Sequence, residues 1–346
     1  SMQTDMRIMI RRTLMQKHIS KESLITRIYA EIKRLLDLST DYGFDDNLIF
    51  DDCDFRDEII HGDIRNSELL DYLFKNTKFD YVYHIAGITP LPDCQTNPSE
   101  AVEVNVQGTV NILEVARMHG VKKVIFASTS AVYENNTDFP SQENHVEPPT
   151  LLYPSTKYAA EQFCKVYADC YGMNVVCMRF ANVYGPHLDC LRTQPPVVGY
   201  MIRELYYGRP VELHSNGEQK RDFVYVEDLV RLLQLVQKGE GFDVVNVSTE
   251  STVSINELYQ VVAELMDKGG TKPQYFEAEH FWHNYPALYN GAYRISEEVL
   301  AHEVCKYTLL SNKHAKEAYG WEPEVSLREG VQNTIDFSIK VLKERG

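Results

Sequence analysis

Between residues 81 and 179 the chain alternates short apolar runs with longer amphipathic stretches, and few folds accept that pattern. Residues 81–85 read as a buried strand, 98–118 as a helix, 123–127 as a strand, 153–171 as a helix and 174–179 as a third strand. Continuous apolar strands separated by helices belong to a parallel sheet covered on both faces. The expected class is therefore α/β, a doubly wound parallel sheet whose ligands sit at the carboxyl ends of the strands. After Gly185 the pattern loosens. A helix near 198–207, a strand at 211–214 and a helix at 254–266 suggest a smaller second lobe, while 223–237 and 244–247 read as a return to the main sheet.

Tyr153 and Lys157 stand one helical turn apart in the run Tyr-Pro-Ser-Thr-Lys, downstream of the hydroxyl-rich strand end Ser128, Thr129, Ser130. Residues four apart share a helix face, so the lysine charge is expected to favour the tyrosine phenolate. Thr129 can hydrogen-bond the same substrate oxygen. The trio is a candidate hydride-transfer site: Tyr153 removes a hydroxyl proton while a nicotinamide cofactor carries the redox chemistry.

The net charge of -15 over 346 residues argues against nucleic acid or an anionic membrane as partner. Seven cysteines, at positions 53, 94, 164, 170, 177, 190 and 305, show no CxxC pair and no zinc spacing. They read as reduced thiols, no metal is expected, and a cytoplasmic location follows. No run of 18 apolar residues and no signal-peptide pattern is present.

Seven motifs occur in order: His-Gly-Asp-Ile at 61–64, Tyr-His-Ile-Ala-Gly at 83–87, Val-Asn-Val-Gln-Gly-Thr at 104–109, Val-Ile-Phe-Ala-Ser-Thr-Ser at 124–130, the Tyr153 run, Arg-Phe-Ala-Asn-Val-Tyr-Gly-Pro at 179–186 and Lys-Arg-Asp-Phe-Val-Tyr-Val-Glu-Asp at 220–228. With them the chain resembles the extended short-chain dehydrogenase/reductase family, the NAD-dependent nucleotide-sugar epimerases and dehydratases, over roughly residues 56–340. The resemblance implies a Rossmann-like dinucleotide-binding domain at 1–182 and 222–249, and a substrate-binding lobe at 183–221 and 250–346. It also implies NAD as cofactor, a nucleotide-diphosphate sugar as substrate, and a homodimer formed through helices 98–118 and 153–171.

Residues 1–55 depart from that family. A member opens with a strand, a turn of three glycines and a helix whose N-terminus receives the pyrophosphate. Here the first glycine is Gly43. Residues 6–10 read as a candidate opening strand, but Arg11, Arg12, Thr13 and Leu14 follow, and 20–38 reads as a helix with Ser20 as N-cap. Three readings stand side by side: an N-terminus altered relative to an intact relative, a dinucleotide held by Arg11 and Arg12, or loss of cofactor binding. Asp46 resembles the family's ribose-binding acid, although Asp45, Asp46, Asp51, Asp52 and Asp54 also read as an exposed acidic loop.

By the same resemblance, Asp63 and Ile64 flank the adenine, and Ala86 and Gly87 let backbone pass close to ribose and phosphate. His84, inside a strand, reads as a core histidine, and Asn105 as an architectural tie to a strand end. Asn182 would meet the sugar diphosphate and Arg221 its phosphates. A second arginine of the family is missing, with Arg294 or Lys306 as substitutes within an aromatic insertion at 281–306. Related dehydratases carry an acidic pair directly after the threonine, and here Ser130 and Ala131 stand there. Oxidation and re-reduction at one carbon remains, hence 4-epimerisation. A ketoreductase, a dehydratase or a non-catalytic member are the alternatives.

Overall fold

The computed structural model describes residues 9–12, 62–192, 195–288, 290 and 294–345. In chain order its elements are β1 (Met9–Arg12), α1 (Ser67–Asn76), β2 (Phe79–His84), α2 (Leu91–Thr96), α3 (Pro98–Val102), a π turn at Glu103–Gln107, α4 (Gly108–Met118), β3 (Lys123–Thr129) and α5 (Leu152–Tyr171). There follow β4 (Val175–Phe180), β5 (Asn182–Tyr184), α6 (Val197–Tyr206), β6 (Glu212–His214), β7 (Lys220–Arg221), β8 (Phe223–Tyr225), α7 (Val226–Leu235) and β9 (Phe242–Val247). The remainder is β10 (Val253–Ser254), α8 (Ile255–Leu265), β11 (Gln274–Phe276), α9 (Glu297–Cys305), α10 (Lys313–Tyr319) and α11 (Leu327–Arg345).

The central sheet runs β1-β2-β3-β4-β9, parallel from β2 onward. Side chains alternate across it as pleating requires. Ile125, Ala127, Val176 and Met178 enter one core, which continues to Trp321. Val124, Phe126, Val175 and Cys177 enter the other, where α5 contributes Ala160, Cys164 and Ala168. The doubly wound α/β architecture expected from the sequence is present. Asp46 and the helix expected at 20–38 lie outside the described residues.

Three local expectations need correction. The candidate opening strand appears as β1, but it pairs antiparallel with β2, with Met9 opposite Tyr83 and an irregularity between Ile10 and Arg12. A short apolar run does not encode strand direction. The helix expected over 98–118 is interrupted by the π turn, which carries Asn105. Such a widened turn leaves little compositional trace and is frequent at functional sites. Finally, 223–225 does not rejoin the main sheet. The chain leaves that sheet after Ala181, whose N–H still meets Val247 O at 2.9 Å, and β8 follows it out by pairing with β5.

Helix α5 carries Pro154 in its first turn, where a backbone N–H would lack an intrahelical partner anyway. It ends at Gly172, whose φ of 68° is the left-handed cap. Its entry is satisfied from outside: Gln95 Oε1 accepts from Leu152 N at 2.7 Å, and the Glu134 carboxylate accepts from Thr150 N and Leu151 N. Those bonds hold the start of α5, and with it Tyr153, at the carboxyl edge of the sheet.

Candidate active site

The end of β3 meets α5 through three consecutive residues. Lys157 Nζ donates to Ala127 O at 2.8 Å, Ser128 Oγ donates to Glu161 Oε1, and the Thr129 hydroxyl stands near enough to the Tyr153 phenol to influence its ionisation. Thr129 Oγ1 also accepts from Ala131 N at 3.1 Å, capping the short turn that follows the strand. The structure thus brings Thr129, Tyr153 and Lys157 to one edge.

Electrostatics there differ from the sequence expectation. Burial pushes the Tyr153 phenol up to about 12, and the nearby Thr129 hydroxyl only partly offsets this. Burial also pushes the Lys157 ammonium down to about 8. Lys157 Nζ is drawn to the Ala127 carbonyl and lies 4.8 Å from the centre of the Phe126 ring. Desolvation is thus the larger influence on the Tyr153 phenol.

The end of β2 forms the adjoining wall. Asn105 clamps Ile88, accepting from its N–H at 2.8 Å and donating to its carbonyl at 2.9 Å, and reaches Thr156 Oγ1 at 3.0 Å. A β-carbon on Gly87 would come within 3.0 Å of Asn105 Oδ1 and 3.2 Å of Lys157 Nζ, so a side chain there would displace one of them by a few tenths of an ångström. Ala86 is half-buried beside it. His84 is buried against Thr109 Oγ1 at 2.8 Å and pushed down to about 3, which makes it a neutral core histidine.

Asp63 and Ile64 stand at the far end of the candidate cofactor site. The Asp63 carboxylate is held by Arg65 Nε at 2.9 Å and by Arg65 N at 2.8 Å, so an adenine amino group would share it with that arginine. The Ile64 side chain is fully buried beneath Gly108, and its carbonyl accepts from Asn111 Nδ2 at 3.0 Å. The nicotinamide end suits NAD better. Lys157 has three donor protons and Ala127 uses one, which leaves an ammonium able to serve ribose hydroxyls beside Tyr153.

A cleft of about 490 Å³ opens beyond β2, lined among others by Leu91, Arg192, Tyr200, His214, His280 and Trp282. His214 and His280 lie 5.7 Å apart, and His280 stacks on Phe276 at 4.5 Å. Burial, with His280 alongside, pushes His214 down to about 4. Asn182 is exposed at the head of β5 with Nδ2 on Asp222 O at 2.9 Å. Arg221, expected on phosphates, instead donates to Val304 O at 2.9 Å at the C-terminal end of α9, and burial pushes it down to about 10. Arg294 is exposed ahead of α9.

Sequence reasoning missed Glu161, Arg192, His214 and His280. The position of Glu161, one turn beyond Lys157, was a usable signal. The other three lie after β5, where no spacing marks them.

The model of the NAD dependent epimerase/dehydratase family matches residues 27–248. A UDP-glucuronate 4-epimerase of Thermodesulfobacterium geofontis is 27% identical over 277 residues, which is 80% of this chain and 77% of that protein. A dTDP-D-glucose 4,6-dehydratase of Mus musculus is 30% identical over 281 residues, 81% of this chain and 73% of that protein. The crystal structure of a Thermotoga maritima UDP-glucose 4-epimerase with UDP-glucose is 29% identical, with a TM-score of 0.71 over 81% of this chain and 84% of that one. The chain belongs to the NAD dependent epimerase/dehydratase family.

Proposed function

We propose that the protein is a nucleotide-sugar 4-epimerase working through Thr129, Tyr153 and Lys157. The observation that carries this reading is the convergence of Thr129 at the end of β3 with Tyr153 and Lys157 on the first turns of α5, Lys157 Nζ being fixed on Ala127 O at 2.8 Å. NAD supplies the hydride acceptor and donor. Tyr153 exchanges the proton of the substrate hydroxyl, and Thr129 orients the same oxygen. Lys157 and the backbone at Ala86 and Gly87 hold the nicotinamide ribose. Ser130 and Ala131 stand where an elimination would need an acid and a base, which favours epimerisation over dehydration.

The substrate we infer is a UDP-sugar, following the UDP-sugar epimerases named above, with its nucleotide in the cleft near His214 and Arg192 and its diphosphate meeting Asn182. We also assign cofactor binding to residues 1–182 and 222–249, and substrate binding to 183–221 and 250–346. A homodimer is inferred through α3, α4 and α5, which expose Val102, Met118, Phe163, Val166 and Tyr171. A cytoplasmic location is inferred from the free cysteines.

A ketoreductase using the same three residues is the second reading, since it needs the identical set Thr129, Tyr153 and Lys157. The test is to denature the purified protein, quantify released nicotinamide nucleotide, and incubate the native protein with UDP-glucose and UDP-glucuronate. Bound NAD with interconversion of 4-epimers supports the epimerase. Consumption of added NADH with a 4-keto sugar, and no epimer formed, supports the reductase.

A further inference from the structure

Of the three contacts between β3 and α5, the middle one has no part in the chemistry. Glu161 is 1% exposed and lies one turn beyond Lys157 on the same helix face. Its Oε1 accepts from Ser128 Oγ and, at 3.0 Å, from Arg179 Nε, while Oε2 accepts from Arg179 Nη2 at 2.7 Å. Arg179 belongs to β4. Its Nη1 donates to Tyr133 Oη at 2.6 Å and to Glu143 O at 3.0 Å, and Tyr133 Oη donates to Asn246 Oδ1 on β9 at 2.8 Å. The carboxylate is therefore gripped from β3 and β4, with the turn after Thr129 bound into the same network.

A buried ion pair is a weak source of stability, because apolar side chains of similar volume often serve as well. What directed bonds add is a single register. Apolar surfaces tolerate sliding, whereas a carboxylate with three donors on it does not. We propose that Glu161 is a positioning residue: acting through Ser128 and Arg179, it fixes α5 against the end of β3 and so sets the Tyr153 phenol against the Thr129 hydroxyl. The proposal rests on the reading of Tyr153 and Thr129 as the groups that handle the substrate hydroxyl.

The test uses Ser128→Ala, which removes one oxygen and leaves the Glu161–Arg179 pair, together with Glu161→Gln and Tyr153→Phe. Turnover of UDP-glucose and UDP-glucuronate, thermal stability, and amide hydrogen exchange over 127–133 are measured for each. In Ser128→Ala we expect kcat to fall on the order of 10-fold with KM within about twofold, as a misplacement of less than 1 Å would produce. Exchange over 127–133 should accelerate while Tm stays within a few degrees. Wild-type kcat and exchange in Ser128→Ala, beside an inactive Tyr153→Phe, would leave Glu161 a structural ion pair and overturn the proposal. Wild-type turnover by Tyr153→Phe would instead end the reading of the site, and the proposal with it. Glu161→Gln keeps the shape and removes the charge. A loss of kcat there larger than its loss of folded protein supports the positioning role, and a loss that only tracks folding counts against it.

Discussion

Lys157 and Gly87 are matched across the site: the Lys157 Nζ lies 3.2 Å from where a β-carbon on Gly87 would stand. Gly87→Ala should therefore push the ammonium off its bond to Ala127. We expect a stability loss of about 1–3 kcal/mol, the usual range for overpacking, and a larger proportional loss of turnover. Urea unfolding and a turnover assay on the same preparation separate the two effects.

Tyr153→Phe should remove nearly all turnover with fold and UDP-sugar affinity retained. Thr129→Ala should cost less, on the order of 10²-fold in kcat, the lower part of the range for one positioned acid/base partner. Steady-state kinetics with calorimetric binding of UDP-glucose checks both. A Tyr153→Phe enzyme as fast as the parent would contradict the assignment.

The pH dependence of stability should carry the signature of Lys157. Burial holds it at about 8 in the folded protein, below the ordinary lysine value of 10.5, so below pH 8 the lysine is charged in both states and its burial cost is fully present. As pH rises from about 8 to 10.5 the folded protein gives up the proton first, and stability rises. Burial of Tyr153 works in the opposite sense at higher pH, since its phenol ionises near 10 when unfolded and near 12 when folded. The advantage of a Lys157→Met variant over the parent should thus shrink between pH 8 and 10, by on the order of 2–3 kcal/mol in total. Denaturant titrations at closely spaced pH values measure it, and a constant difference would mean that Lys157 is solvated.

Arg221 should behave first as a helix anchor. Its guanidinium satisfies carbonyls at the C-terminal end of α9, where orphan acceptors and the negative end of the helix dipole meet. Arg221→Ala should cost about 2 kcal/mol, the scale for hydrogen bonds from a charged donor. Amide exchange over 297–305 should accelerate in the absence of any nucleotide. Unchanged exchange with a raised KM for UDP-glucose would return Arg221 to the phosphate-binding role that its motif suggests.

Much of the architecture was legible in the sequence because periodicity reports which face a residue buries. The runs at 81–85, 123–127 and 174–179 became β2, β3 and β4, and the spacing of Tyr153 and Lys157 placed both on one face of α5. Thr129 was legible as well, since a hydroxyl at the end of an apolar strand is carried to the sheet's carboxyl edge. Periodicity contains nothing about which distant segment meets that face. Only the tertiary structure gave Lys157 the Ala127 carbonyl, Glu161 the Ser128 and Arg179 donors, and Arg221 the end of α9. Only it turned β1 antiparallel to β2. Ionisation was likewise beyond the sequence: spacing places a cation near Tyr153, but the balance between that charge and desolvation depends on how completely the surrounding chain excludes water.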